Sequence, residues 1–71
     1  MREFELKKVE NYLNKKFGSR EFLVKVRKSI DDSCEVYLGD EFLGLVYLEE
    51  DEGEIAYQFH MTILGEDLLE I

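Results

Sequence analysis

The spacing of apolar residues changes at Gly18, and that change constrains the fold more than any other feature. Before it, Leu6, Val9, Leu13 and Phe17 recur at three- and four-residue steps, with Tyr12 beside them. At about 100° per residue these four span an arc of roughly 80°, the signature of an amphipathic helix near residues 5–17. Glu3 and Glu5 at its start and Lys15 and Lys16 at its end suit the helix dipole, and Gly18 suits its termination. Phe4 falls on the opposite side of this helix. After Gly18 the apolar runs are short, and much of their length alternates, as strands do.

Four strands are expected. The first is residues 22–27, with Lys25 and Arg27 outward, followed by a turn at residues 29–33 rich in Asp and Ser. The second is residues 34–38, and Gly39-Asp40 then provides a two-residue hairpin turn. Residues 42–48 form the third strand, and the acidic turn 49–54 leads to the fourth at residues 55–64. In that last strand Ile55, Tyr57, Phe59, Met61 and Ile63 alternate with smaller or polar residues. The tail, residues 66–71, is apolar enough to dock. The expected fold is therefore α+β, an N-terminal helix packed on a four-stranded antiparallel meander, in a single domain over residues 1–71.

Hairpin registers sort the strand residues into two faces. With Gly39-Asp40 as the turn, Tyr37 opposes Phe42 and Val36 opposes Leu43. A four-residue loop at 50–53 sets Val46 opposite Tyr57. One face then gathers Tyr37, Phe42, Val46, Leu48, Ile55, Tyr57, Phe59, Met61 and Ile63, enough to receive the helix. The other gathers Cys34, Val36, Leu38, Leu43, Leu45 and Tyr47 with Gln58, His60 and Thr62. A second face this apolar is expected to be covered by the tail or by another chain. The candidate interface on it is Val36, Leu38, Leu43, Leu45, Tyr47 and His60.

Composition limits the remaining choices. A chain of 71 residues buries roughly 60% of its unfolded surface, so its core is only just sufficient. Its 45% hydrophobic content nonetheless argues for folding rather than disorder. One cysteine, Cys34, excludes an internal disulfide and the multi-cysteine zinc patterns. No leader-like or membrane-spanning apolar run occurs, so a cytoplasmic location is expected.

Charge is unevenly shared. The first 28 residues hold all nine basic residues and four acids, a formal +5, and the other 43 residues hold 13 acids and no Lys or Arg. The net charge of −8 repels nucleic acid and anionic membranes overall. The alternative is local anion or nucleic-acid binding by Lys15, Lys16, Arg20, Lys25, Arg27 and Lys28.

The run Asp31-Asp32-Ser33-Cys34-Glu35-Val36-Tyr37-Leu38-Gly39-Asp40-Glu41-Phe42-Leu43-Gly44 resembles the central stretch of an uncharacterised family of short alphaproteobacterial proteins, domain of unknown function 3126. The segment from Tyr57 to Leu64 is similar to its last strand, and Val9, Tyr12, Leu13, Phe17 and Gly18 to its opening helix. A proline commonly follows the first strand in that family and is missing here, and His60 replaces a different polar residue. The resemblance implies a small cytoplasmic bacterial protein and brings no catalytic or ligand-binding residues with it.

No catalytic apparatus is expected from the residues themselves. Cys34 and His60 fall on strands separated by a third, about 10 Å apart, too far for a base to activate a thiol. The acidic turn at 49–54 lacks the ligand spacing of a calcium loop, so neither metal nor cofactor is expected. Lys15 to Arg20 ends a helix, where a phosphate loop would open one. The expected function is an interaction module with no enzymatic activity, its partner a second copy or another protein.

Overall fold

The computed structural model describes residues 1–27 and 32–70. The expectations that fall on Lys28, Ser29, Ile30, Asp31 and Ile71 lie outside the described residues. Helix α1 (Glu3–Phe17) precedes strands β1 (Phe22–Val26), β2 (Ser33–Leu38), β3 (Glu41–Asp51) and β4 (Glu54–Met61), and a short 3-10 helix (Gly65–Glu70) ends the chain. The four strands pair antiparallel in the order β1-β2-β3-β4. The fold is α+β, one helix on a four-stranded meander.

Helix α1 starts two residues earlier than its apolar stripe suggests, because its first turn is closed by polar chemistry. The Arg2 amide donates to Glu5 Oε1 at 3.0 Å. At the other end the amides of Gly18 and Ser19 donate to the carbonyls of Lys15 and Asn14. Leu6 and Leu13 are buried and Val9 is half-buried, whereas Tyr12 and Phe17 stay exposed. Phe17 rests its ring on Phe22, 5.6 Å between centroids. Phe4 faces solvent, with Lys8 Nζ 5.6 Å from its ring centre.

The core contains Leu6, Leu13, Phe22, Cys34, Val36, Leu43 and Val46, joined by half-buried Met1, Val9, Val24, Leu38 and Phe59. This corrects the expected faces. Cys34, Val36, Leu38 and Leu43 lie under the helix, while Tyr37 and Phe42 point to the open side. The physical reason is a bulge. Val36 opposes Gly44 while Tyr37 opposes Phe42, so Leu43 is an extra residue on β3 and the alternation shifts there. Gly44 makes the shift affordable in space, since a Cβ at that position would run into the His60 carbonyl on β4.

The β3–β4 hairpin is also tighter than expected. Asp51 pairs with Glu54 across a two-residue turn in which Glu52 (φ 50°) and Gly53 (φ 85°) are both left-handed. Val46 consequently opposes Phe59, and Tyr57 opposes Leu48. A shift of two residues preserves the face, so Val46, Leu48, Ile55, Tyr57, Phe59 and Met61 do share the helix side.

The C-terminal segment leaves the body. The Thr62 amide donates to the Leu43 carbonyl at 2.9 Å, and Asp67 then closes a turn by accepting from the Leu64 amide at 3.0 Å. Leu68 and Leu69 are 59% and 84% exposed, so neither is buried against a sheet face. The molecule is elongated, 42 × 24 × 23 Å.

Candidate functional site

The two outer strands carry opposite treatments of the same hazard, a row of unpaired backbone groups. Along β1, the helix supplies partners. Asn14 brackets Phe22, its Oδ1 accepting from the Phe22 amide at 2.9 Å and its Nδ2 donating to the Phe22 carbonyl at 3.3 Å. One turn earlier, Glu10 Oε1 accepts from the Val24 amide at 3.0 Å, and Lys7 pairs with the same carboxylate at 3.2 Å. These residues recur on one flank of α1, so the helix that buries Leu6 and Leu13 also caps the outward groups of Phe22 and the Val24 amide on the strand edge.

Among the described residues, strand β4 has no such cover. Thr62 bonds back to Leu43, and ladder bonding alternates along an antiparallel pair. The even-numbered residues of β4 therefore face β3, and the backbone groups of Ile55, Tyr57, Phe59 and Met61 face outward. The side chains of these four point to the helix side of the sheet. Ile55, Tyr57 and Met61 are 60%, 42% and 54% exposed. Helix α1 lies against β1, which leaves this flank open.

Between α1 and β4 runs a groove of about 480 Å³. Val9, Tyr12 and Leu13 form its helical wall, Val46, Ile55, Tyr57 and Phe59 its floor, and Glu5 and Lys8 part of its rim. The Tyr57 hydroxyl spans it to donate to Glu5 Oε2 at 2.9 Å. Hydrogen bonds from the Arg2 amide, then from Tyr57, hold the Glu5 carboxylate below its usual range. The same bond to Glu5 raises the Tyr57 phenol, since a charged neighbour opposes its ionisation.

The candidate interface residues are divided by the bulge. Val36 and Leu43 are buried in the core and Leu38 is half-buried against it, while Leu45, Tyr47 and His60 remain on the open face. Tyr47 and His60 meet edge to face at 5.1 Å. Leu23, Tyr37 and Phe42 form a second apolar group there, with the Tyr37 and Phe42 rings 5.5 Å apart. Lys25 and Glu35 pair across β1 and β2 on this same face. Lys25 Nζ sits 4.7 Å from the Tyr37 ring centre, and the Tyr37 hydroxyl donates to Glu35 at 3.1 Å. The open face is thus mixed in character, as one face of an antiparallel sheet commonly is.

The remaining candidates scatter. Cys34 is fully buried on the helix side, and burial pushes its thiol up. His60 lies on the opposite side of the sheet, so the two are not a nucleophile and its base. Lys15 and Lys16 end the helix, whereas Lys25 lies on the far side of the sheet and Arg27 donates to Ser33 Oγ at 3.1 Å. Among the described residues, Lys15 and Lys16 are thus on the helix and Lys25 on the opposite side of the sheet. Among the described residues no group of three or more His, Cys, Asp or Glu is placed to hold a metal, and no helix is long and apolar enough to cross a membrane.

Sequence reasoning missed the open β4 edge, although Gly44 within an apolar run was a signal of the bulge that sorts the faces. Neither a curated protein nor a solved structure matches the chain. The model of the family described as protein of unknown function (DUF3126) matches residues 5–67, from the first turn of α1 into the terminal 3-10 helix. The chain belongs to that family.

Proposed function

We propose that this chain is a non-enzymatic interaction protein that self-associates, β4 of one copy pairing antiparallel with β4 of a second. The observation that carries this reading is the contrast between the two edges: β1 is sealed by Asn14 and Glu10, and β4 presents its outward amides beside an apolar row. A sheet edge of this kind is a template for strand addition.

One register uses every outward group. Centred on Gln58, it sets Ile55 against Met61 of the second copy and Tyr57 against Phe59 of the second copy, and the reverse. Two-fold symmetry then makes the contact self-complementary and closed. Both helices lie on the same side of an eight-stranded sheet. Each acidic β3–β4 turn arrives at the Met61 end of its partner, the end where Lys15 and Lys16 close α1. The uneven charge of the chain would therefore steer the pairing. A single buried thiol with no partner suits a reducing compartment, so the cytoplasm is the proposed location.

Sedimentation velocity at a low and a high micromolar concentration tests the reading. The expected result is a species of twice 8.4 kDa that dissociates on dilution. A monomer at both concentrations would remove self-association.

A further inference from the structure

We infer that the β4 pairing is a pH-sensitive contact, in which His60 of each copy meets Glu54 of the other and protonation of the imidazole tightens the dimer. The inference rests on the register proposed above and adds a regulator to it. Three observations lead to it.

The first is placement. The even-numbered residues of β4 share the open face of the sheet, so His60 and Glu54 point the same way. In the proposed register the open faces of the two copies are continuous, and His60 of one copy stands directly opposite Ala56 of the other. Glu54 of the second copy is then its diagonal neighbour. Diagonal residues lie about 7–8 Å apart, within reach of one another when their side chains are long. The two-fold axis makes the contact twice.

The second is room. Ala56 offers only a methyl group, and it floors a shallow hollow of about 290 Å³ walled by Glu49, Asp51, Glu52 and Glu54. An imidazole arriving from the second copy meets no bulk there. Both His60 and Glu54 are exposed in the free chain, with the His60 ring resting edge to face on Tyr47 at 5.1 Å.

The third is charge. On its own chain His60 has Gln58 and Thr62 along β4, and Leu45 and Tyr47 on β3. Glu35 lies beyond Leu45 on β2, where it accepts from the Tyr37 hydroxyl, and Lys25 lies beyond that on β1. These groups surround His60 in the free chain and in the pair alike. Pairing adds Glu54 at the diagonal, Glu49 beyond Ala56 and Asp51 beyond Glu54, all from the second copy. Glu66 and Asp67, on the 3-10 helix after β4, leave at the same end of the pair and carry the same sign. Nearby carboxylates favour the charged imidazolium. Histidine changes charge between about pH 5 and 8, where carboxylates stay ionised. The charged form therefore favours the pair, and by reciprocity the pair favours the charged form.

Sedimentation velocity of the full-length chain at about pH 6 and about pH 8, at constant ionic strength, tests the switch. The dissociation constant is expected to be about tenfold lower at the acid end, the joint effect of two exposed ion pairs. His60→Gln and Glu54→Gln are each expected to flatten this difference, since either removes one member of both contacts. Glu21→Gln, which removes an exposed carboxylate just before β1, is expected to keep it. That variant separates the contact from a general change in net charge. A dimer of equal affinity at both pH values would overturn the switch and leave β4 pairing standing. So would a pH dependence that survives Glu54→Gln. A chain that stays monomeric at both would overturn the pairing as well.

Discussion

Strands β1 and β4 are the two edges of one sheet, and they differ in what meets their backbones. On β1 the groups of Phe22 and the amide of Val24 end on the side chains of Asn14 and Glu10. On β4 the corresponding row, at Ile55, Tyr57, Phe59 and Met61, faces outward, and the side chains of Ile55, Tyr57 and Met61 remain largely in water. Both edges belong to a small protein whose core, seven buried apolar side chains among the described residues, leaves little stability to spare. A chain that seals one edge with two well-placed polar residues and leaves the other open has a one-sided surface. One-sidedness limits association to pairs, because a sheet with both edges open would extend without end.

The comparison can be broken at its root by Gly44→Ala. The added Cβ meets the His60 carbonyl, so β3 and β4 must part or the bulge must move. A loss of about 3 kcal/mol or more is expected, read as a fall in the urea midpoint. Both folding and association should suffer together.

Substituting Ile55→Lys with Met61→Lys attacks only the open edge. Both side chains are largely exposed in the free chain, so the monomer should keep its stability. Dimerisation should weaken about a hundredfold, or roughly 2.7 kcal/mol, by sedimentation. The same pair of lysines would leave association untouched if the open sheet face, with Leu45, Tyr47 and His60, were the contact.

Asn14→Ala sharpens the contrast from the other side. It leaves the Phe22 amide and carbonyl without their side-chain partners, at a cost of about 1–3 kcal/mol in thermal or urea unfolding. It also uncovers β1. Species larger than a dimer are then expected in sedimentation, since both edges can pair.

The smallest effect belongs to Tyr57→Phe, which removes the bridge from β4 to Glu5. Both groups reach solvent, so the cost should stay under about 1 kcal/mol. Its pH dependence is more telling than its size. Glu5 has a lowered pKa in the fold, so its contribution is present above its unfolded pKa and lost as pH falls through the folded one. Tyr57 has a raised pKa, so its contribution is present below its unfolded value and lost as pH rises through the folded one. In the Tyr57→Phe variant the part of the alkaline loss that Tyr57 contributes should vanish while those of Cys34 and Tyr37 remain, and the acid loss should shrink by the part that Tyr57 contributes to Glu5. Chemical denaturation across pH reads both limbs.

Much of this architecture is legible in the sequence because it rests on periodicity. Leu6, Val9 and Leu13 announce the helix, and each strand lies within a few residues of its alternating run. The face assignment of β2 is not legible in the same way. It depends on one extra residue, Leu43, and that residue is tolerated only because Gly44 lets two backbones approach. Parity arguments carry an error of one residue through a whole strand, so Cys34, Val36 and Leu38 change sides together. A slip of two, as at the β3–β4 turn, does no such harm. The sealed edge is harder still to read, since Asn14 and Glu10 look like ordinary polar residues of a helix until Phe22 and Val24 lie beside them. The candidate site was legible only in part: the apolar row of β4 is plain, but its lack of cover follows from where α1 lies.

Amide hydrogen exchange along β4, measured at low and high protein concentration, tests the central claim most directly. The outward amides of Ile55, Tyr57, Phe59 and Met61 should exchange freely in the dilute chain and become protected as concentration rises. Those of Phe22 and Val24 should be protected to the same degree at both. Outward β4 amides that exchange freely even where the chain is dimeric would contradict edge pairing and move the contact elsewhere on the surface.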